Sequence, residues 1–153
     1  MSKQDRSAFT LVEILIVVVI LGILAAIIIP SLTGAAEESS VNATYADLQK
    51  LRRAVGVYQV RNNGVLPPIV EGDANGAADG EGPWGPLVSN SGEYFLNAPV
   101  NAYVGGANGR VVVFGSGPDA EFHTEYGWIY NPDTGAVYAA SFDANDKPIP
   151  RNP

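Results

Sequence analysis

Few residues in this chain have the type and spacing to do chemistry, and most of them fail on inspection. His123 is the only histidine and no cysteine is present. A His-based metal cluster, a thiolate site and a disulfide framework are therefore all excluded. A catalytic pair built on histidine has no second member, and His123 reads as a loop residue. Gly115-Ser-Gly-Pro118 lacks the Gly-x-Ser-x-Gly spacing of a nucleophile elbow and reads as a turn. Asp143-Ala-Asn-Asp-Lys147 shares two positions with a calcium loop but lacks its glycine and its distal glutamate. Gly76 to Gly85 holds no GxGxxG and no phosphate-binding lysine. No catalytic constellation emerges, so the chain reads as a protein that is not an enzyme. One residue stands apart. Glu13 is the sole charge in an otherwise apolar run from Phe9 to Ile29, and a lone carboxylate in hydrocarbon costs a few kcal/mol on insertion scales. It needs a partner or a proton.

The element that positions Glu13 is a helix. At about 1.5 Å per residue, the run from Phe9 to Ile29 reaches about 31 Å, the thickness of a bilayer's hydrocarbon core. Lys3 and Arg6 precede it and no basic cluster follows it closely, which orients the N-terminus to the cytoplasm. A conventional secretory signal has a shorter apolar core with a small-residue site after it. Here Ala25-Ala26 lies inside the core instead. Gly22 and Pro30 are the two breakers in the segment. Pro30 has no N–H for the carbonyl of Ala26, which predicts a kink or a local loosening.

Beyond Gly34 the helical pattern changes character. Val41, Tyr45, Leu48, Leu51 or Arg52, Val55 and Tyr58 recur at three- and four-residue steps, one apolar face for a globular domain. Asn62-Asn63-Gly64 ends the helix near Arg61, and Pro67-Pro68 prevents its resumption. Glu71 to Gly85, glycine-rich with four acids, reads as a flexible solvated loop, after which Trp84 returns to the core. Arg110–Phe114, Trp128–Tyr130 and Ala136–Ala139 read as strands, the last two joined across Asn131-Pro-Asp-Thr-Gly135. The expected class is α+β: a long N-terminal helix, transmembrane in its first half and amphipathic in its second, packed on a small C-terminal antiparallel sheet. From Asn62 to Pro153 eleven acids face three bases, and such a surface repels nucleic acid.

A polar leader with Lys3 and Arg6, then Ala8, Phe-Thr-Leu-Val-Glu13 and a Val/Ile/Leu helix, resembles the prepilin-type cleavage and methylation signal of type IV pilins and of type II secretion pseudopilins. Asn63-Gly-Val-Leu-Pro-Pro68 is similar to the Asn-Gly-x-x-Pro turn of major pseudopilins. Gly127-Trp-Ile-Tyr-Asn-Pro-Asp-Thr-Gly135 is similar to an ending found in pilin-like proteins of the secretion group. The resemblance implies the pilin fold. It also implies that a prepilin peptidase cuts between Ala8 and Phe9, where the family more often has Gly before the cut, and methylates the new Phe9 amine. The parts are then a cleaved leader (1–8), a transmembrane assembly helix (9–30), its amphipathic continuation (31–62) and a periplasmic globular domain (63–153).

That cut creates an α-amino group four residues from Glu13. Glu13 of one subunit facing the Phe9 amine of the next neutralises both charges and fixes an axial register, since buried pairs select an arrangement more reliably than they stabilise it. The implied protein is a structural subunit of a type II secretion pseudopilus, polymerising through its N-terminal helix from the inner membrane into the periplasm. Its implied partners are copies of itself, the prepilin peptidase, the inner-membrane secretion platform and minor pseudopilins. A type IV pilin or a minor pseudopilin is the alternative, and a membrane-tethered periplasmic binding module is a further one. Major pseudopilins can bind calcium through acids of their C-terminal loops. Asp119, Glu121, Glu125, Asp133, Asp143 and Asp146 qualify by residue type alone, none aligns with a ligand position, and solvated acids are the plainer reading.

Overall fold

The computed structural model describes residues 10–74, 82–89 and 93–151, with the side chains of 28–33 left undescribed. The leader, Ala8 and Phe9 therefore lie outside the described residues. Helix α1 spans Leu11–Arg61. The chain divides into two compact units, Met1–Glu37 and Glu38–Pro153.

In the first unit, every described side chain from Leu11 to Ile27 is exposed, Leu11 by 83% and Ile27 by 68%. No described apolar residue there has a core to enter. Among the described residues no helix is long and apolar enough to cross a membrane; the described side chains of the apolar run stop at Ile27.

The second unit carries the core. Leu48, Leu51, Ala54 and Val55 of α1 are buried against Trp84, Leu87, Val112, Trp128, Tyr130, Val137 and Phe142. The amphipathic stripe thus faces the core as its spacing predicts, with two adjustments. Leu51 takes the inward position, while Arg52 turns its guanidinium to the Val137 carbonyl and Asp146. Tyr45 is 46% exposed, and the inward position beside it belongs to Thr44, fully buried and donating to the Ser40 carbonyl at 2.8 Å. α1 ends where the sequence places its stop. Asn63 takes φ +53° and Gly64 φ +88°, and the Gly64 N–H closes on the Gln59 carbonyl at 2.8 Å, the longer bond of a Schellman motif.

Among the described residues four strands form one sheet in the order β1-β2-β3-β4: β1 (Gly72–Asp73), β2 (Val111–Phe114), β3 (Trp128–Tyr130) and β4 (Val137–Ala139). The α+β class stands, but the sheet is mixed. β2 runs parallel to β3, with Val112 opposite Trp128, and the other pairs are antiparallel. A parallel neighbour needs a crossover of a dozen or more residues, and residues 115–127 provide it. β1 also corrects the reading of Glu71 to Gly85 as one solvated loop. Gly72 and Asp73 pair with β2, Val70 N–H reaches the Pro83 carbonyl at 2.9 Å, and Trp84 is buried at the head of a 3-10 turn, Gly85–Leu87. The β3–β4 turn forms as expected, with Gly135 at φ +75° and the Asn131 side chain accepting from the Asp133 and Thr134 amides at 2.9 and 3.2 Å.

A chain beginning near Ala35 should fold as a monomer with a cooperative urea transition. Within it Leu48→Ala should cost about 2–5 kcal/mol, the range for emptying a fully packed leucine site. A loss below about 0.5 kcal/mol would show that the core face is wrongly assigned.

Candidate functional site

The described chemistry around Glu13 begins with the start of its helix. Thr10 sits just before α1, and its N–H and its hydroxyl each donate to Glu13 Oε2 at 2.8 Å. The Glu13 N–H returns a bond to Thr10 Oγ1 at 3.3 Å. This is a reciprocal capping box, which satisfies helix-start donors that have no partner within the helix. The Thr-x-x-Glu spacing of residues 10–13 is the sequence signal for this box. The box orients the carboxylate without neutralising it. No described cation pairs with Glu13, and among the described residues its Oε1 accepts no hydrogen bond.

The other residues singled out in this segment are placed only in part. Ala8 and Phe9 lie outside the described residues, as does the side chain of Pro30. The α1 backbone continues through Pro30 to Arg61. At Gly22 an added Cβ would meet nothing within 4 Å, so the single chain places no demand for glycine there.

In the second unit the acids named by type do not converge on a cation site. Among the described residues no three His, Cys, Asp or Glu side chains come together as metal ligands. Asp119 is surrounded by donors instead. Its Oδ2 accepts from the Ser141 amide at 2.7 Å and meets His123 Nε2 at 2.6 Å, and its Oδ1 accepts from the Tyr126 hydroxyl at 2.8 Å. Asp146 receives the guanidinium fork of Arg52 on both oxygens, at 2.5 and 2.8 Å. Asp143 Oδ1 accepts the amides of Asn145 and Lys147 at 2.8 and 3.0 Å. The Lys147 and Asn145 amides hold the Asp143 carboxyl below its ordinary range. Glu121, Glu125 and Asp133 are exposed. Calcium takes six to eight oxygen ligands at 2.3–2.6 Å, whereas Asp119, Asp143 and Asp146 already accept N–H and O–H donors and the other three acids do not join them.

The cluster around Asp119 was not legible in advance, because His123 read as an isolated loop residue. The ring of His123 lies 4.1 Å from that of Tyr126. Burial first, then the Asp119 bond and the charges of Asp119 and Glu125, push the Tyr126 hydroxyl up to about 12. Burial also raises Tyr130.

The prokaryotic N-terminal methylation motif matches residues 3–29. The chain is similar to the type II secretion system core protein G of Pectobacterium carotovorum subsp. carotovorum, 32% identical over 142 residues that cover 81% of this chain and 83% of that protein. It is 31% identical to the protein of the same name from Klebsiella pneumoniae over 134 residues, 76% and 87% of the two chains. The match to the Aeromonas hydrophila protein of that name is closer but shorter. It reaches 40% identity over 63 residues and spans 44% of that relative's length. No solved structure matches significantly.

The raised Tyr126 hydroxyl sets an alkaline limit. Folding favours its neutral form, so this contribution is whole below pH about 10, the ordinary tyrosine value, and is lost as pH rises towards about 12. Urea titrations of the wild type and Tyr126→Phe should differ most below pH 10 and converge towards pH 12. A gap that stays constant from pH 8 to 12 would contradict the assignment.

Proposed function

We infer that this chain, which belongs to the type II secretion system core protein G family, is the structural subunit of a secretion pseudopilus. The observation that carries the reading is the first unit itself: a helix with its described side chains exposed from Leu11 to Ile27, headed by a carboxylate with no described counter-charge. Apolar surface of that extent is favourable only when lipid or other protein covers it. A repeating filament that starts in a membrane supplies both covers in turn.

The mechanism follows from charge. A prepilin peptidase cuts between Ala8 and Phe9 and methylates the Phe9 amine, which leaves a cation at the helix start. Glu13 lies one helical turn along. Within its own chain the described partner of Glu13 is Thr10, which carries no charge; Glu13 accepts the amine of the adjacent subunit and both charges are neutralised. Apolar contact between neighbouring helices supplies the adhesion, and the pair sets the axial register. Gly22, unneeded in the single chain, and Pro30 mark the stretch where α1 gives way as subunits pack. The protein sits in the inner membrane with its N-terminus cytoplasmic and its second unit periplasmic. It meets the inner-membrane secretion platform and minor pseudopilins, and its role is structural, without catalysis.

In cells that overproduce the protein, mass spectrometry should find Phe9, N-methylated, at the mature terminus. Glu13→Gln should still be inserted and cleaved, yet crosslinking and shearing should recover few or no filaments, because removing one partner of a buried pair costs about 3–5 kcal/mol. Glu13→Asp should be intermediate. Normal cleavage of Glu13→Gln with filaments at the wild-type level would refute the pairing, and an intact Met1 terminus in the presence of an active peptidase would refute the processing. A wild-type protein that stays monomeric under crosslinking would favour a tethered binding module.

A further inference from the structure

We propose that a clamp made of protein groups alone, centred on Asp119, closes the C-terminal segment of this chain in place of the calcium ion that major pseudopilins can bind there. The crossover 115–127 and the segment after β4 are both irregular, and something must tie one to the other. Asp119, whose side chain is only 10% exposed, does so with both oxygens. Three donors converge on it: the Ser141 amide, His123 Nε2 and the Tyr126 hydroxyl.

Ser141 is the fixed point of the far side. It is fully buried and holds φ +61°, a backbone conformation that side chains other than glycine seldom adopt and that surrounding structure must enforce. Its hydroxyl donates to the His123 carbonyl at 2.7 Å and accepts from the His123 N–H at 3.0 Å. Three bonds therefore join Ser141 to the crossover. The remaining ring nitrogen of His123, Nδ1, is buried with no partner among the described residues, so the ring's hydrogen bonding is directed to Asp119.

The chain beyond Ser141 is held by the same kind of chemistry. The Ile149 N–H returns to the Ser141 carbonyl at 2.9 Å, and the Tyr103 hydroxyl donates to the Ile149 carbonyl at 2.8 Å. Arg52 grips Asp146 from α1. In a cation site, carboxylates are brought together and the ion offsets their charge. Here a guanidinium, an imidazole, a phenol and an amide already occupy the carboxylate oxygens. A calcium ion would have to compete with three donors for the oxygens of Asp119 and would meet the Arg52 cation at Asp146. The segment's order is thus independent of calcium and dependent on His123, Tyr126 and Asp119.

The test uses the full-length protein purified in detergent. Its melting temperature should agree to within about 1 °C in excess EDTA and in millimolar calcium chloride. His123→Ala and Tyr126→Phe should each lower it by about 2–4 °C, the shift expected for a chain of this length when a hydrogen bond is lost. Limited proteolysis should then cut both variants beyond Ser141 sooner than the wild type, with calcium restoring neither. Tyr126→Phe removes a single hydroxyl, so it keeps the test open if His123→Ala does not fold. A wild-type melting temperature that falls in EDTA and recovers with calcium would overturn the proposal. So would variants that fold, melt and resist protease like the wild type.

Discussion

The second unit depends on one buried amide. Asn101 is fully buried, and its side chain makes every hydrogen bond that its geometry invites. Oδ1 accepts from the Thr44 hydroxyl at 3.2 Å and from the amides of Tyr103 and Val104, both at 3.0 Å. Nδ2 donates to the carbonyls of Gly127 and Ala140, both at 2.9 Å. One side chain thereby joins α1, the loop after Asn101, the end of the crossover and the exit from β4. Leaving any of these groups unpaired in the core costs about 1–3 kcal/mol. The glycines around Asn101 keep the approach close. An added Cβ at Gly127 would come within 2.3 Å of the Gly109 carbonyl, and one at Gly109 within 2.8 Å of the Asn101 carbonyl.

How far the sequence foretold this varies with the range of the interaction. Leu48, Leu51 and Val55 were legible because helical spacing alone puts them on one face, and their burial follows. The Asn63-Gly64 stop and the Asn131–Gly135 turn were legible because their chemistry is local. Thr44 was not, since a threonine counts as polar in any periodicity and its burial depends on Asn101, far along the chain. The parallel pairing of β2 and β3 was not legible either. Strand propensity says where strands lie and nothing about their order or direction, and only the folded crossover sets β2 beside β3 in parallel. β1 has only two residues, too few to carry a pattern.

The two clusters of polar chemistry divide along the same line. Glu13 was conspicuous because a carboxylate in an apolar run contradicts its surroundings. Its bond to Thr10 shows that the contradiction is only partly relieved within the single chain. Asp119, by contrast, looked like one solvated acid among many. His123 and Tyr126 stand four and seven residues away from it, but Ser141 reaches it from beyond β4. Only the folded crossover assembles the group.

Assembly turns on where the Glu13 charge goes when subunits pack. Solid-state NMR of filaments grown from a mixture of subunits, half labelled with carbon-13 and half with nitrogen-15, reads that directly. Pairing between subunits should give a correlation between Glu13 Cδ and the Phe9 nitrogen, which in such a mixture arises only between different subunits. Absence of that correlation, in filaments that otherwise show carbon-to-nitrogen contacts between neighbouring subunits, would contradict it.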